Sequence, residues 1–207
     1  PIQAEGGIIV PEPGYLARVR EICTRNNVLL IWDEVQTGFC RTGKRFAWQH
    51  ENAEPDLMAV GKPLGGGLFP VSAALGKRHV MEVFVPGDHG STFGGNPLGA
   101  VIAVAALAEM EVDGLAAKSQ ERGQQMMDGF RALELPQVLE VRGKGLLVGL
   151  EVQNVDSKKL TQAFLDARVL TKETRNHTFR FAPPLTISEA EVDEVVARVG
   201  RAIRSVV

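Results

Sequence analysis

Lys62 stands between the apolar run 57–60, closed by Gly61, and the run Gly65-Gly66-Gly67. A lysine amine attacks an aldehyde only after losing its proton, which a desolvated or cationic pocket favours. Glycines beside it let backbone approach a ligand closely. Asp33 closes a second apolar run, 28–32. A carboxylate in such a place can pair with a pyridinium nitrogen and keep it protonated, which makes the ring a sink for carbanion electrons. Ser91-Thr92 precede Phe93-Gly94-Gly95-Asn96-Pro97. Two hydroxyls, two glycines and a helix start form a candidate phosphate cradle. Taken singly, each has a plainer explanation: a solvated lysine, a loop-capping aspartate, a helix-initiating turn.

These groups need elements to hold them. Tyr15, Leu16, Val19, Ile22 and Cys23 recur at helical spacing, and Asn26-Asn27 suits the helix end. The run 28–32 then reads as a strand buried on both faces of a parallel sheet. Residues 57–60 and 71–75 are further strands, and 36–52 is a long polar loop. Asp33 and Lys62 each follow a strand, and ligands of open α/β sheets bind beyond the carboxyl ends of strands. Asn96 caps an Ala-rich helix over 98–110, with Pro97 in its first turn. Gly114 interrupts it, and a second helical stretch runs to about Leu133.

The texture changes after that. Strands over 138–141 and 146–152 are joined through Arg142-Gly143-Lys144-Gly145. A helix over 157–167 follows, then short strands over 169–171 and 179–181. Ser188 and Glu191 form a capping box, and the last helix aligns Val192, Val195, Val196, Val199 and Ile203 on one stripe. The order predicts an α/β protein. Residues 1–112 read as part of a large doubly wound domain with a mainly parallel sheet, and 113–207 as a small C-terminal α+β domain.

Composition excludes several classes. Lys plus Arg total 23 against 25 Asp plus Glu, a formal charge of −2, so nucleic acid and anionic membranes have no electrostatic claim on the chain. No apolar run is long enough to span a bilayer. Cys23 and Cys40 make neither a disulfide framework nor a metal spacing. They point to a reducing compartment: the cytoplasm, or the mitochondrial matrix if a targeting segment precedes Pro1. His50, His79, His89 and His177 are scattered, and no metal is expected. Trp48 reads as packing, and Lys77-Arg78 as a solvated face. The opening Pro1-Ile2-Gln3-Ala4-Glu5 carries no initiator Met and reads as the middle of a longer sequence.

Three segments together resemble a known family. They are Trp32-Asp33-Glu34-Val35-Gln36-Thr37-Gly38, Gly61-Lys62-Pro63-Leu64-Gly65-Gly66-Gly67, and Gly90-Ser91-Thr92-Phe93-Gly94-Gly95-Asn96-Pro97. In this order they resemble the motifs of class III, fold-type I aminotransferases, which use pyridoxal 5′-phosphate (PLP). Four further segments resemble the members acting on ornithine: Pro1-Ile2-Gln3-Ala4-Glu5, Pro86-Gly87-Asp88-His89-Gly90-Ser91-Thr92, Arg142-Gly143-Lys144-Gly145-Leu146-Leu147 and Arg180-Phe181-Ala182-Pro183-Pro184-Leu185. Members acting on acetylornithine share much of this pattern.

The resemblance implies roles. Lys62 would hold PLP covalently and later shuttle a proton. Asp33 would keep the pyridine nitrogen protonated, Val35 would pack on the ring, and Gln36 would bond its phenolic oxygen. Thr92, with Ser91 beside it, would reach the phosphate bound by a second copy, which implies a homodimer with shared sites. Arg180 would bind the α-carboxylate of 2-oxoglutarate, and Glu5 would mask it while ornithine is bound. The family's N-terminal half, with its other phosphate loop and the aromatic stacked on the ring, has no counterpart in these 207 residues. Trp32, Pro63 and Cys40 depart from the family's usual residues. Two alternatives stay open: another ω-amine as substrate, such as acetylornithine, or a non-catalytic truncated remnant serving in assembly.

Overall fold

A computed structural model describes residues 1–175 and 177–207. The chain forms two compact units. One comprises Pro1, Pro11–Cys40 and Lys44–Gly114, the other Ile2–Val10, Arg41–Gly43 and Leu115–Val207.

The first unit begins with α1 (Tyr15–Arg25). Gly14 precedes it at φ 82°, a conformation that suits a residue without Cβ, and it offers no capping side chain. Glu51 supplies the cap from a distance, accepting from the Gly14 and Ala17 amides at 3.0 and 3.1 Å. Leu16, Val19 and Cys23 of α1 pack on Leu30, Trp32, Trp48 and Ala53. β1 (Ile31–Asp33) pairs in parallel with β2 (Leu57–Val60), which pairs antiparallel with β3 (Ala73–Gly76). The short helix α2 (Arg78–Met81) follows, too brief to show a period in the sequence. α3 (Pro97–Val112) starts where Asn96 Oδ1 accepts from the Gly99 amide at 2.7 Å.

Burial of the first strand differs from the expectation. The run 28–32 reads as covered on both faces, yet Ile31 is 60% exposed and Val28 and Leu29 are exposed too. The strand alternates: Trp32 faces α1, while Ile31 and Asp33 point to the other side. β3 is exposed along its length, and Val101 and Val104 of α3 are also exposed. The unit thus leaves apolar side chains of β1, β3 and α3 uncovered, and such patches mark surfaces that other chains or segments cover.

Asp56 ties this unit together. Its carboxylate accepts from Arg20 Nη1 at 2.6 Å and from the Leu30 amide at 2.8 Å, with Lys77 Nζ at 3.3 Å. Burial raises its pKa, but the hydrogen bonds from Arg20, Leu30 and Lys77, with the Arg20 charge, outweigh burial and hold it at about 2, below the ordinary 3.8. A depressed pKa gives stability that is complete above the unfolded value and lost as pH falls from about 4 through about 2. The expected result is an unfolding midpoint that drops over that window in the parent and drops less in Asp56→Asn. Urea titrations at stepped pH check it, and parallel curves would refute it.

The second unit consists of α4 (Leu115–Arg131), β4 (Val138–Lys144), β5 (Leu147–Val152), α5 (Ser157–Asp166), β6 (Lys172–Glu173), β7 (Thr178–Phe181) and α6 (Glu189–Ser205). The sheet order is β4-β5-β7-β6, antiparallel throughout. Met126 and Phe130 of α4, Phe164 of α5, Phe179 of β7 and Val192, Val199 and Ile203 of α6 form its core. The capping box holds: the Glu191 amide donates to Ser188 Oγ, and the Ser188 amide to Glu191 Oε2. The apolar run 169–171 is not the strand itself, which forms at Lys172–Glu173 opposite Arg180 and Phe179. Arg142 to Lys144 lie within β4 rather than in its connection to β5.

Ile2–Val10 and Arg41–Gly43 pack with the later residues, and the main break falls after Gly114. Gln3 and Ile9 bridge to each other, which buries Ile8 fully against Leu147. Arg41 donates to the carbonyls of Leu146 and Pro183 at 3.0 and 2.7 Å. Burial lowers its pKa to about 10.

Candidate active site

Two groups of expected residues come together, one in each unit. In the first, the parallel register sets Asp33 opposite Ala59, so β1 and β2 run out at the same carboxyl edge. Asp33 ends β1, and Lys62 follows β2 by two residues. Asp33 Oδ1 accepts from the Val35 amide at 2.9 Å, which turns the chain off the strand and orients the carboxylate. Val35 is half-buried beside Gly61, its Cγ1 3.6 Å from where a Gly61 Cβ would stand. Gln36 is half-buried next to it.

Lys62 is exposed and opens a 3₁₀ turn, Lys62–Gly65. Its φ is +39°, a left-handed value that a residue with a side chain rarely adopts. Such positions cost on the order of 1–3 kcal/mol and cluster where function fixes a side chain. Buried Leu64, whose amide donates to the Gly61 carbonyl at 3.1 Å, holds the turn. Gly66, at φ 59°, closes it.

The three departures from the family pattern now have a structural account. Pro63 sits in the first turn of the 3₁₀ helix, where an amide proton lacks a helical partner anyway, so the ring removes no bond. Trp32 lies on the α1 side of β1, away from Asp33, and its indole donates to the Ala53 carbonyl at 2.8 Å. Cys40 is buried, and burial, with the charge of Glu111 behind it, pushes its thiol up despite Arg45. That makes it a poor nucleophile.

Ser91 and Thr92 lie in the exposed turn before α3. Ser91 Oγ accepts from the Gly94 amide at 3.0 Å. The hydroxyl keeps its proton for another acceptor.

In the second unit Glu5 and Arg180 form an ion pair, with the Arg180 side chain 18% and the Glu5 side chain 59% exposed. β7 positions Arg180, whose carbonyl accepts from Thr171 Oγ1 at 2.8 Å. Glu5 lies in the segment Ile2–Val10 that packs on this unit.

Three residues of these groups carry no role in the sequence reading. Glu34 is fully buried and accepts from Thr37 Oγ1 and from the Trp48 amide, the latter at 2.9 Å. It anchors the loop after Asp33, and a carboxylate in so apolar a stretch is the signal that marks it. Arg142 donates to the Gly7 carbonyl through Nε and Nη2 at 3.0 and 2.7 Å, to Thr178 Oγ1 at 2.9 Å and to Glu151 at 2.5 Å. It fastens the segment carrying Glu5 to the strand carrying Arg180. Lys172 Nζ lies 3.4 Å from Glu5 Oε2. Neither contact with the Glu5 segment is marked locally, because Gly7 and Arg142, like Glu5 and Lys172, are far apart in sequence.

The aminotransferase class-III family model matches residues 1–203, and the chain belongs to that family. Over 199 residues it is 48% identical to the ornithine aminotransferase of Oceanobacillus iheyensis, a match covering 96% of this chain and 50% of that protein. It superposes with a TM-score of 0.96 and 42% identity on an ornithine aminotransferase from Toxoplasma gondii that has partial occupancy of PLP at its active site, covering 100% of this chain and 50% of that one. An acetylornithine aminotransferase from Elizabethkingia anophelis matches with a TM-score of 0.94 and 39% identity, covering 99% and 55%. The chain spans about half the length of the curated relatives it matches.

Proposed function

We propose that the complete enzyme containing this chain is an ornithine aminotransferase. It moves the δ-amino group of ornithine to 2-oxoglutarate with PLP as cofactor, giving glutamate 5-semialdehyde and glutamate. The observation that carries the reading is the Glu5–Arg180 pair. One active site must accept ornithine by its distal amine and then a dicarboxylate by its α end. An arginine fork suits the second task, and left bare it would be an uncompensated cation during the first. A carboxylate that can pair with it and leave serves both.

The residues at the sheet edge fit PLP. An exposed amine and an exposed carboxylate stand at the ends of neighbouring parallel strands, with a half-buried valine and a half-buried amide side chain beside them. When bound, PLP supplies the electron sink. Lys62 holds it covalently and, once released, carries the proton at substrate Cδ or Cα. Asp33 keeps the ring nitrogen protonated, Val35 packs on the ring, and Gln36 donates to the phenolic oxygen. Ser91 and Thr92 serve a phosphate, Thr92 that of a second copy in an isologous dimer.

The remaining half of the fold, continuous with this chain or a companion polypeptide, supplies the rest of the pocket. The exposed apolar faces of β1, β3 and α3 support that need. The free Cys23 and Cys40 accord with a reducing setting, the cytoplasm in this reading. No described helix is long and apolar enough to cross a membrane.

Turnover of the complete protein with ornithine and with acetylornithine, each with 2-oxoglutarate, tests the proposal. Preference for ornithine is expected. Preference for acetylornithine moves the chain to that branch, and no transamination with either leaves it a non-catalytic assembly domain.

A further inference from the structure

We propose that Lys172 is a second seat for the Glu5 carboxylate, and so sets how readily Arg180 is released to the dicarboxylate substrate. The inference rests on the reading of Glu5 and Arg180 given above. Lys172 and Arg180 are cross-strand partners in the β6–β7 pairing, so their side chains rise from adjacent positions on the sheet. Two cations placed so repel each other unless an anion lies between them. Glu5 supplies it: Oε1 meets Arg180 Nη1, and Oε2 lies 3.4 Å from Lys172 Nζ. The carboxylate is shared by two cations from opposite oxygens.

This sharing has a consequence for the exchange of partners. If Arg180 were the carboxylate's only cation, each arrival of a dicarboxylate would strand Glu5 without compensation. With Lys172 in place, Glu5 keeps one ion pair while Arg180 turns both fork nitrogens to the incoming carboxylate. Arg142 holds the Glu5 segment through the Gly7 carbonyl, so the exchange needs only the Glu5 side chain to move. Lys172 is exposed, its side chain at 66%, which suits a modulator rather than a structural anchor.

Lys172→Met in the complete enzyme should raise KM for 2-oxoglutarate about two- to fivefold, the scale of an exposed ion pair. The ornithine half-reaction should keep its KM and rate, since there Glu5 stays on Arg180. Lys172→Arg should restore the parent value. Binding of 2-oxoglutarate to the cofactor-free protein, measured by calorimetry, should weaken in the same direction. An unchanged KM would reduce Lys172 to an idle surface charge and overturn the proposal. A lowered KM would overturn it too, because Lys172 would then be bracing Glu5 against Arg180. Arg180→Ala separates the two levels. If it raises KM for 2-oxoglutarate while Lys172→Met does nothing, only the role of Lys172 fails. If Arg180→Ala itself has no effect, the underlying reading of the pair fails.

Discussion

Lys62→Ala is expected to lower ornithine transamination by the complete enzyme about a thousandfold or more. Two functions leave with one amine: the covalent hold on the cofactor, and the proton carrier, itself worth roughly a hundred- to ten-thousandfold. The side chain is exposed in this chain, so alanine opens no core cavity, and the melting temperature of the cofactor-free variant should stay near that of the cofactor-free parent. Arginine in its place should rescue nothing, because a guanidinium does not shed its proton near neutral pH. Steady-state rates, with thermal melts of the cofactor-free proteins, check this. Retained turnover in a folded Lys62→Ala variant would refute the role.

The second large effect is expected at Arg180. Arg180→Ala should raise KM for 2-oxoglutarate about ten- to a hundredfold, the scale for losing hydrogen bonds to a charged group. The ornithine half-reaction should change little, since in it the arginine is occupied by Glu5. Glu5→Gln should do the reverse for the dicarboxylate by unmasking the arginine. Half-reactions followed separately by rapid mixing distinguish these outcomes. Equal losses in both halves would mean that Arg180 serves the fold rather than substrate choice.

Much of the frame was legible because local chemistry wrote it. The Asn96-Pro97 pair and the Ser188–Glu191 box mark helix starts that the structure reproduces. The stripe of Val192, Val199 and Ile203 is the buried face of α6. Boundaries set by pairing partners were less legible. β6 lies at Lys172–Glu173 rather than in the more apolar run 169–171, because its register is dictated by Arg180 and Phe179 of β7. Burial of β1 differs from the expectation for a related reason. An apolar run shows that a face wants covering, but not whether this chain provides the cover, and Ile31 is left exposed.

The candidate site divides in the same way. Asp33 and Lys62 were found from their places after apolar runs, and the parallel β1–β2 register puts both at one edge. Glu5 and Arg180 were paired only through resemblance, since 175 positions separate them. The contacts of Arg142 and Lys172 were not legible, because a cation's role lies in what the fold brings to it. Trp32 shows the converse. Beside Asp33 in sequence it looks like part of the pocket, but strand alternation turns it to α1.

The central claim is that the amine at position 62 carries the cofactor. Borohydride reduction of the PLP-loaded complete enzyme, followed by digestion and mass mapping, tests it most directly. The account predicts one pyridoxyl-modified peptide, containing Lys62, and its loss in Lys62→Ala. A label on another lysine, or none in a protein that transaminates, would contradict it.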